Sequence, residues 1–199
     1  MDNIRGAEAI LLHGANIVLA AQTEHRWLKK GDSTIIPLKT IGGAIEGGES
    51  PLACIEREIL EEIHFSCDLR FDQMCSFENS KKQYLERGGL RTEDHFDDLR
   101  IAADVSTPIA SLGPFVTSKG GDLHALFYRV RVKNDCVLRP KDVPALCIMP
   151  LRVFMSLDMR GMYSRTNLEK YMIAGDRVQL PSNTSFAFMM PSVMKLLVP

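Results

Sequence analysis

The residues of this chain best suited to chemistry are Arg57-Glu58-Ile59-Leu60-Glu61-Glu62. On a helix, Glu58, Glu61 and Glu62 stand at i, i+3 and i+4, so three carboxylates share one face about 5–6 Å from their neighbours. Like charges at that spacing repel and weaken a bare helix. A divalent cation removes the repulsion, and hard carboxylate oxygens are what magnesium prefers. Water also tolerates an acidic face, so the cluster alone reads more readily as a solvated surface. Two features turn the reading towards a site. Leu52, Ile59 and Ile63 recur at helical spacing on another side, giving the helix a face to pack. The helix also follows Gly42-Gly43-Ala44-Ile45-Glu46-Gly47-Gly48-Glu49, whose glycines let backbone approach a phosphate or metal closely. A glycine loop meeting an acidic helix in one cleft outlines a diphosphate–metal site.

The flanking elements must hold that cleft. Residues 8–21 read as two short strands turning around His13-Gly14-Ala15-Asn16, with Ile10, Leu12, Ile17 and Leu19 buried. Lys29 to Ser33 is a polar loop, and extended character resumes at Ser33-Thr34-Ile35-Ile36-Pro37. The glycine cluster is excluded from a helix or a central strand interior. Ser50 is the expected N-cap and Pro51 the first helical residue, where a missing N–H costs nothing. Strand character returns from Phe65 to Phe77, and residues 79–122 are ambiguous. Asp122 to Val132 alternates as a strand, and Ala145 to Val153 reads as another that ends at Pro150. The last apolar stretch, Ser185 to Val198, reads as a closing helix that Pro191 breaks or starts.

Bulk properties limit the partners. The 199 residues suit one globular domain, with residues 79–122 the place for an insertion. The 45% hydrophobic and 25% charged residues match an ordinary core-forming protein. A net charge of −1 gives no global attraction to nucleic acid or anionic membrane, and no DNA-binding domain is evident. No run approaches a membrane span in length, and Met1 to Gly6 does not begin a secretory signal, so the expected location is cytoplasmic. Five cysteines without a C-x-x-C pair read as reduced, mostly buried thiols.

With these residues in place, a resemblance becomes specific. Gly43, five residues, Glu49, seven residues, then Arg57-Glu58-Ile59-Leu60-Glu61-Glu62-Ile63-His64-Phe65 resembles the Nudix box, every charged position being filled at the family's spacing. His64 stands where the family has glycine. That glycine ends the helix, where a left-handed backbone is common. The expectation is therefore that His64 costs some stability or shifts the turn and removes no metal ligand. A contact from His64 to substrate is the sharper alternative.

The resemblance implies an α+β fold, a Nudix-type α/β/α sandwich around a mixed β-sheet. It implies a hydrolase in which water attacks phosphorus and splits the diphosphate linkage of a nucleoside diphosphate derivative, using Mg2+ with Mn2+ as substitute. Glu58 and Glu62 would be the principal metal ligands, with Glu61 and the carbonyl of Gly43 completing the sphere. Arg57 and Glu49 would pair and hold the loop against the helix. Homodimerisation, common among similar proteins, is the implied assembly. The general base stays open among Glu93, Asp94, Asp97, Asp98, Asp122 and Glu169, with His95 and His124 as further candidates.

Substrate selection is not legible. Trp27, Tyr84, Phe96, Phe115 and Tyr128 are stacking candidates that more often serve as core. Lys81, Lys82, Arg87 and Arg91 are candidates for extra phosphates that read more readily as a solvated loop. The main rival is a Nudix-fold module that senses a nucleotide without turnover, although such modules usually lose box acids. An isoprenoid diphosphate isomerase on a related fold would need its own catalytic cysteine, for which Cys54 and Cys67 are poor matches.

Overall fold

The computed structural model describes residues 4–65, 70–71, 100–101, 110–116, 122–132, 136–158, 161–189 and 194–195. Strands β1 (Ile4–His13) and β2 (Asn16–Ala21) form the expected hairpin, His13 lying opposite Asn16. Gly14 takes φ 60° at the turn, and the Asn16 amide donates to the His13 carbonyl at 3.1 Å. The polar segment after Trp27 is not simply a loop. Its Leu28–Lys30 part is a short strand, β3, folded back through Gly31 (φ 58°) onto β4 (Ser33–Lys39).

The chain then enters β5 (Ile41–Ala44), which pairs antiparallel with β1. Gly42 and Gly43 therefore lie in a strand, but among the described strands it pairs with β1 alone, so the expectation that the cluster avoids a helix or a central strand interior holds. β5 is only four residues long, and at Gly42 the neighbouring strand lies too close for a side chain. Helix α1 (Pro51–Glu62) follows, with Cys54, Ile55 and Ile59 buried.

Strands β6 (Ile63–Phe65), β7 (Arg70–Phe71), β8 (Arg100–Ile101), β9 (Ala110–Val116) and β10 (Asp122–Val132) come next. They are followed by β11 (Leu138–Pro140), β12 (Ala145–Pro150), β13 (Tyr163–Ser164), β14 (Met172–Ala174) and β15 (Thr184–Phe188). One large mixed sheet runs in the order β13-β15-β4-β2-β1-β10-β9-β8. Within it β1 is parallel to β10 and β15 is parallel to β4.

Alternation along the strands divides the core between the two faces of the sheet. Ile10 and Leu12 of β1, Ile17 and Leu19 of β2, and Phe127 of β10 face one side. There they meet Phe154 of the short helix Leu151–Ser156 and Leu168 of the helix Arg165–Leu168. Ala7, Ala9, Leu11, Val18, Tyr128 and Val130 face the other side and pack on Cys54, Ile55 and Ile59 of α1. Helices thus cover both faces of a mixed sheet, the α+β sandwich that was expected.

Three further expectations change. The stretch beginning at Ser185 is strand through Phe188, because Thr184, Phe186 and Phe188 are buried with period two and β15 lies along β4. Cys136 is disulfide-bonded, whereas Cys54 and Cys147 are free and buried, so reduced thiols throughout is not the arrangement found. His64 sits in β6, paired with Arg139 of β11, and the helix ends at Ile63 in extended backbone (φ −128°, ψ 134°). No left-handed turn is needed there, so the glycine's conformational freedom has no use. The candidate insertion 79–122 lies mostly outside the described residues.

Two stability predictions follow from this packing. Phe154 is fully buried, 5.8 Å from Phe188 in an edge-to-face pair, so Phe154→Ala should lower the unfolding free energy by about 3–5 kcal/mol in urea titrations. His64→Gly should lower the melting point, by an amount equivalent to about 0.5–1 kcal/mol, because glycine loses more freedom in a strand. A raised melting point would return His64 to a left-handed turn.

Candidate functional site

The site lies where the sheet forks. β1 pairs with β2 through Leu11–His13 and with β5 through Gly6–Ala9. Lys39 closes β4 beside Ala20 of β2, and one residue later Thr40 passes the chain across to β1. Glu8, Lys39, Thr40 and Gly42 are gathered at this fork, and the C-terminal turn of α1 packs against it.

Helix α1 begins as its sequence dictates. Ser50 Oγ accepts from the Ala53 N–H at 3.1 Å and Pro51 takes the first turn. The preceding loop is closed by Glu49, whose Oε1 accepts from the Glu46 N–H at 2.9 Å. Arg57, one helical side chain, then ties loop to helix. Its Nη2 donates to Glu49 Oε1 at 2.8 Å and its Nε to Glu49 Oε2 at 3.2 Å, a two-pronged pair. Nη2 also donates to the Ala44 carbonyl at 3.0 Å, while Nη1 donates to Glu58 Oε1 at 2.8 Å and Glu61 Oε2 at 3.1 Å. The Arg57 hydrogen bonds, helped by the Glu46 N–H, hold Glu49 down at about 2. In turn Glu49, followed by Glu58, raises Arg57 above its ordinary value.

Gly43 packs directly on Glu58: a Cβ there would overlap Glu58 Oε1 and lie 2.5 Å from its Cδ. Gly42 is equally tight, since its φ is 155° and a Cβ would collide with the Ala7 carbonyl and lie 2.7 Å from Glu8 Cα. Both glycines therefore serve close approach. Glu62 faces the fork and not Arg57. Lys39 Nζ donates to Glu62 Oε1 at 2.5 Å and to the Gly42 carbonyl at 2.8 Å. Glu62 Oε2 is buried without a hydrogen-bond partner. Burial raises Glu62 to about 7 against the pull of Lys39, with Glu58 and Glu8 adding repulsion. Glu8 is likewise raised, first by burial, although it accepts from Thr40 Oγ1 at 2.6 Å and lies near Lys39.

A cavity of about 570 Å3 opens over this floor. Glu8, Lys39, Gly42 and Gly43 line part of it, and Gln22, Thr23, His25, Arg26 and Met189 are among the other lining residues. Glu8, Lys39 and the residues Gly42 and Gly43 thus border a space of substrate size, while Glu49, Arg57, Glu58, Glu61 and Glu62 are not among its lining residues.

All six expected site residues are therefore in one neighbourhood, though not in one cluster. Among the described residues, no three His, Cys, Asp or Glu side chains converge enough to hold an ion. Arg57 draws Glu58 and Glu61 one way, and Lys39 draws Glu62 the other. The donor chemistry nevertheless fits a hard divalent cation: the oxygens are carboxylate or carbonyl, and one of them is buried and unsatisfied. Glu58, Glu62 and Glu61 would hold such an ion together with the Gly43 carbonyl, which now lies 3.8 Å from Cys54 Sγ.

Other candidates lie elsewhere. Glu169 is exposed and is not in the cavity wall, and Asp122 and His124 are described only as backbone of β10. Glu93, Asp94, His95, Asp97, Asp98, Tyr84 and Phe96, with the lysines and arginines from 81 to 91, lie outside the described residues. Tyr128 is core, 3% exposed, and Trp27 spends its indole N–H on the Gln22 carbonyl at 2.7 Å. His64 does not line the cavity. Burial pushes the Cys54 thiol up to about 11, which suits a packing residue better than a nucleophile. Sequence reasoning missed Glu8, Lys39 and Thr40. A signal existed for Glu8, an acid set among Ala7, Ala9 and Ile10 in an apolar strand.

By structure the chain is similar to a NUDIX-family hydrolase from Clostridium perfringens, with 12% identity, a TM-score of 0.45, and coverage of 78% of this chain and 86% of that one. It is similar to the ORF135 protein of E. coli at 15% identity and TM-score 0.40, covering 75% of each chain. A bifunctional NMN adenylyltransferase/ADP ribose pyrophosphatase from Francisella tularensis shares 13% identity at TM-score 0.38, over 73% of this chain and 33% of that one. No curated protein matches significantly. The decisive match is to the NUDIX domain model, which spans residues 3–152 and so takes in β1, the box, the fork and β10. The chain belongs to the NUDIX domain family.

Proposed function

We propose that this protein hydrolyses the diphosphate linkage of a nucleoside diphosphate derivative, with water attacking phosphorus and a divalent cation, magnesium or manganese, in the site. The observation that carries the reading is the contact of Gly43 with Glu58, under Arg57 and beside the cavity. The cation would supply charge neutralisation of the diphosphate and an activated water. The chain's own residues do the rest. Glu58, Glu62 and Glu61 supply the oxygens, and the Gly43 backbone comes close because no side chain intervenes. Arg57 and Glu49 act as positioning residues, fixing the loop to the helix without contacting substrate. Lys39 adds positive charge to the cavity floor, where a diphosphate needs it.

No helix among the described residues is long and apolar enough to cross a membrane. The substrate is read as a small molecule entering the cavity, and residues 1–199 as one domain.

The test is release of phosphate or nucleotide from a panel with and without magnesium. The panel contains ADP-ribose, NADH, diadenosine polyphosphates, nucleoside triphosphates and nucleotide sugars. Tight binding of one compound without turnover would replace the hydrolase by a sensing module. Glu58→Gln and Glu62→Gln should each lower kcat more than about tenfold, a loss of about 1.4 kcal/mol, with circular dichroism unchanged. Wild-type rates in both would remove these residues from the machinery.

The Arg57–Glu49 pair generates a pH prediction. Glu49 titrates at about 2 in the fold against an ordinary 4.5, so the native state favours its charged form. The stability this contributes is present above about 4.5 and is lost as pH falls towards about 2. Glu49→Gln should therefore be less stable than wild type at pH 6, and the difference should shrink towards zero between about pH 4.5 and 2. A gap that stays constant over that range would assign the loss to packing.

A further inference from the structure

Resting on the metal-site reading above, we propose that Lys39 is a positioning residue that acts as a resident cation: its ammonium, held by Glu62 and the Gly42 carbonyl, occupies the Glu62 carboxylate and releases it to the divalent cation. The geometry is particular to this lysine. Its Nζ lies 2.5 Å from Glu62 Oε1 and 2.8 Å from the Gly42 carbonyl, oxygens of the kinds that a hard cation takes. The Lys39 and Glu62 side chains are only 15% and 12% exposed, so water screens the contact weakly. The second oxygen, Glu62 Oε2, is buried and has no hydrogen-bond partner.

Charge explains why a cation must sit there. Glu8, Glu58 and Glu62 crowd the fork, and Arg57 is committed to Glu49, Glu58 and Glu61 on the far side. Lys39 is the positive group that bonds to Glu62, and it prevents a desolvated carboxylate from facing two others alone. An ammonium and a dication cannot share one carboxylate oxygen at these distances without strong repulsion. Lys39 also lines the cavity, so its flexible stem has open space in which to place the ammonium once released. Divalent cation binding is thus an exchange of one cation for another. The lysine lowers affinity for the ion and keeps the carboxylates spaced before it arrives.

The test measures metal binding and not turnover. Free Mn2+ is followed by electron paramagnetic resonance at pH 8 in titrations of wild type, Lys39→Met, Lys39→Gln and Lys39→Arg, with folding checked by circular dichroism. Lys39→Met and Lys39→Gln should bind Mn2+ at least tenfold more tightly, while Lys39→Arg, which keeps the charge, stays within about threefold of wild type. Equal or weaker binding in the folded neutral variants would overturn the exchange. A second readout uses the unaltered protein, so it survives misfolding of the variants. The acetylation rate of Lys39, read by mass spectrometry, should rise on adding Mg2+, and an unchanged or slower rate would overturn the proposal. Saturable Mn2+ binding with no gain in the neutral variants would leave the hydrolase reading intact and remove only the role of Lys39. Absence of Mn2+ binding in every form would remove both.

Discussion

The site depends on a single guanidinium. Arg57 bridges Glu49 in the loop, the Ala44 carbonyl in β5, and Glu58 and Glu61 on its own helix. Without it Glu58 and Glu61 would lose their shared cation, and Ala44 and Glu49 would lose their hydrogen bonds to α1. An exposed ion pair contributes little to stability, and this one is a quarter exposed on the arginine side. Its importance is geometric: one planar fork fixes the angle between a strand, a loop and a helix. The glycines complement it. Gly43 admits Glu58 and Gly42 admits β1, so the contacts on both sides of β5 are made by backbone where a side chain would have held the elements apart.

The fork in the sheet does the remaining work. A strand with two different partners along one edge must leave a gap where it changes partner, and polar groups facing that gap need bonds. Here β1 changes partner between Ala9 and Leu11, and the gap is served by Glu8, Thr40 and Lys39. The apolar clusters on both faces hold the strands, so the hydrogen bonds at the fork form between backbone segments that packing has already placed. Burial also shifts the acids at the fork. It raises Glu62 and Glu8, and Lys39 moderates the effect without cancelling it.

Local rules were legible in the residues where short-range physics decides. The cap at Ser50, the proline at Pro51, the hairpin at Gly14 and the alternation of β10 each depend on neighbours within a few positions. One reading failed because a distant partner overrode local preference: Ser185 to Phe188 became strand because β4 lies alongside them. His64 failed differently. The turn that makes glycine useful is replaced by pairing of β6 with β11, two segments far apart in the sequence.

The sequence by itself determined the family's box, the start of α1 and the alternating core, since these follow from spacing, caps and period. It also determined that Glu58, Glu61 and Glu62 are neighbours, because one helical turn makes them so. The tertiary structure alone decided which cation each acid meets. Arg57 is within helical reach of Glu61, but Lys39 comes to Glu62 from 23 residues away, across a strand crossing that no local pattern encodes. It decided too that Glu8 belongs to the site, since only the pairing of β1 with β5 sets that acid beside Gly42. Long-range electrostatic neighbours depend on where the backbone is carried, and the backbone is carried by the packing of the whole sheet.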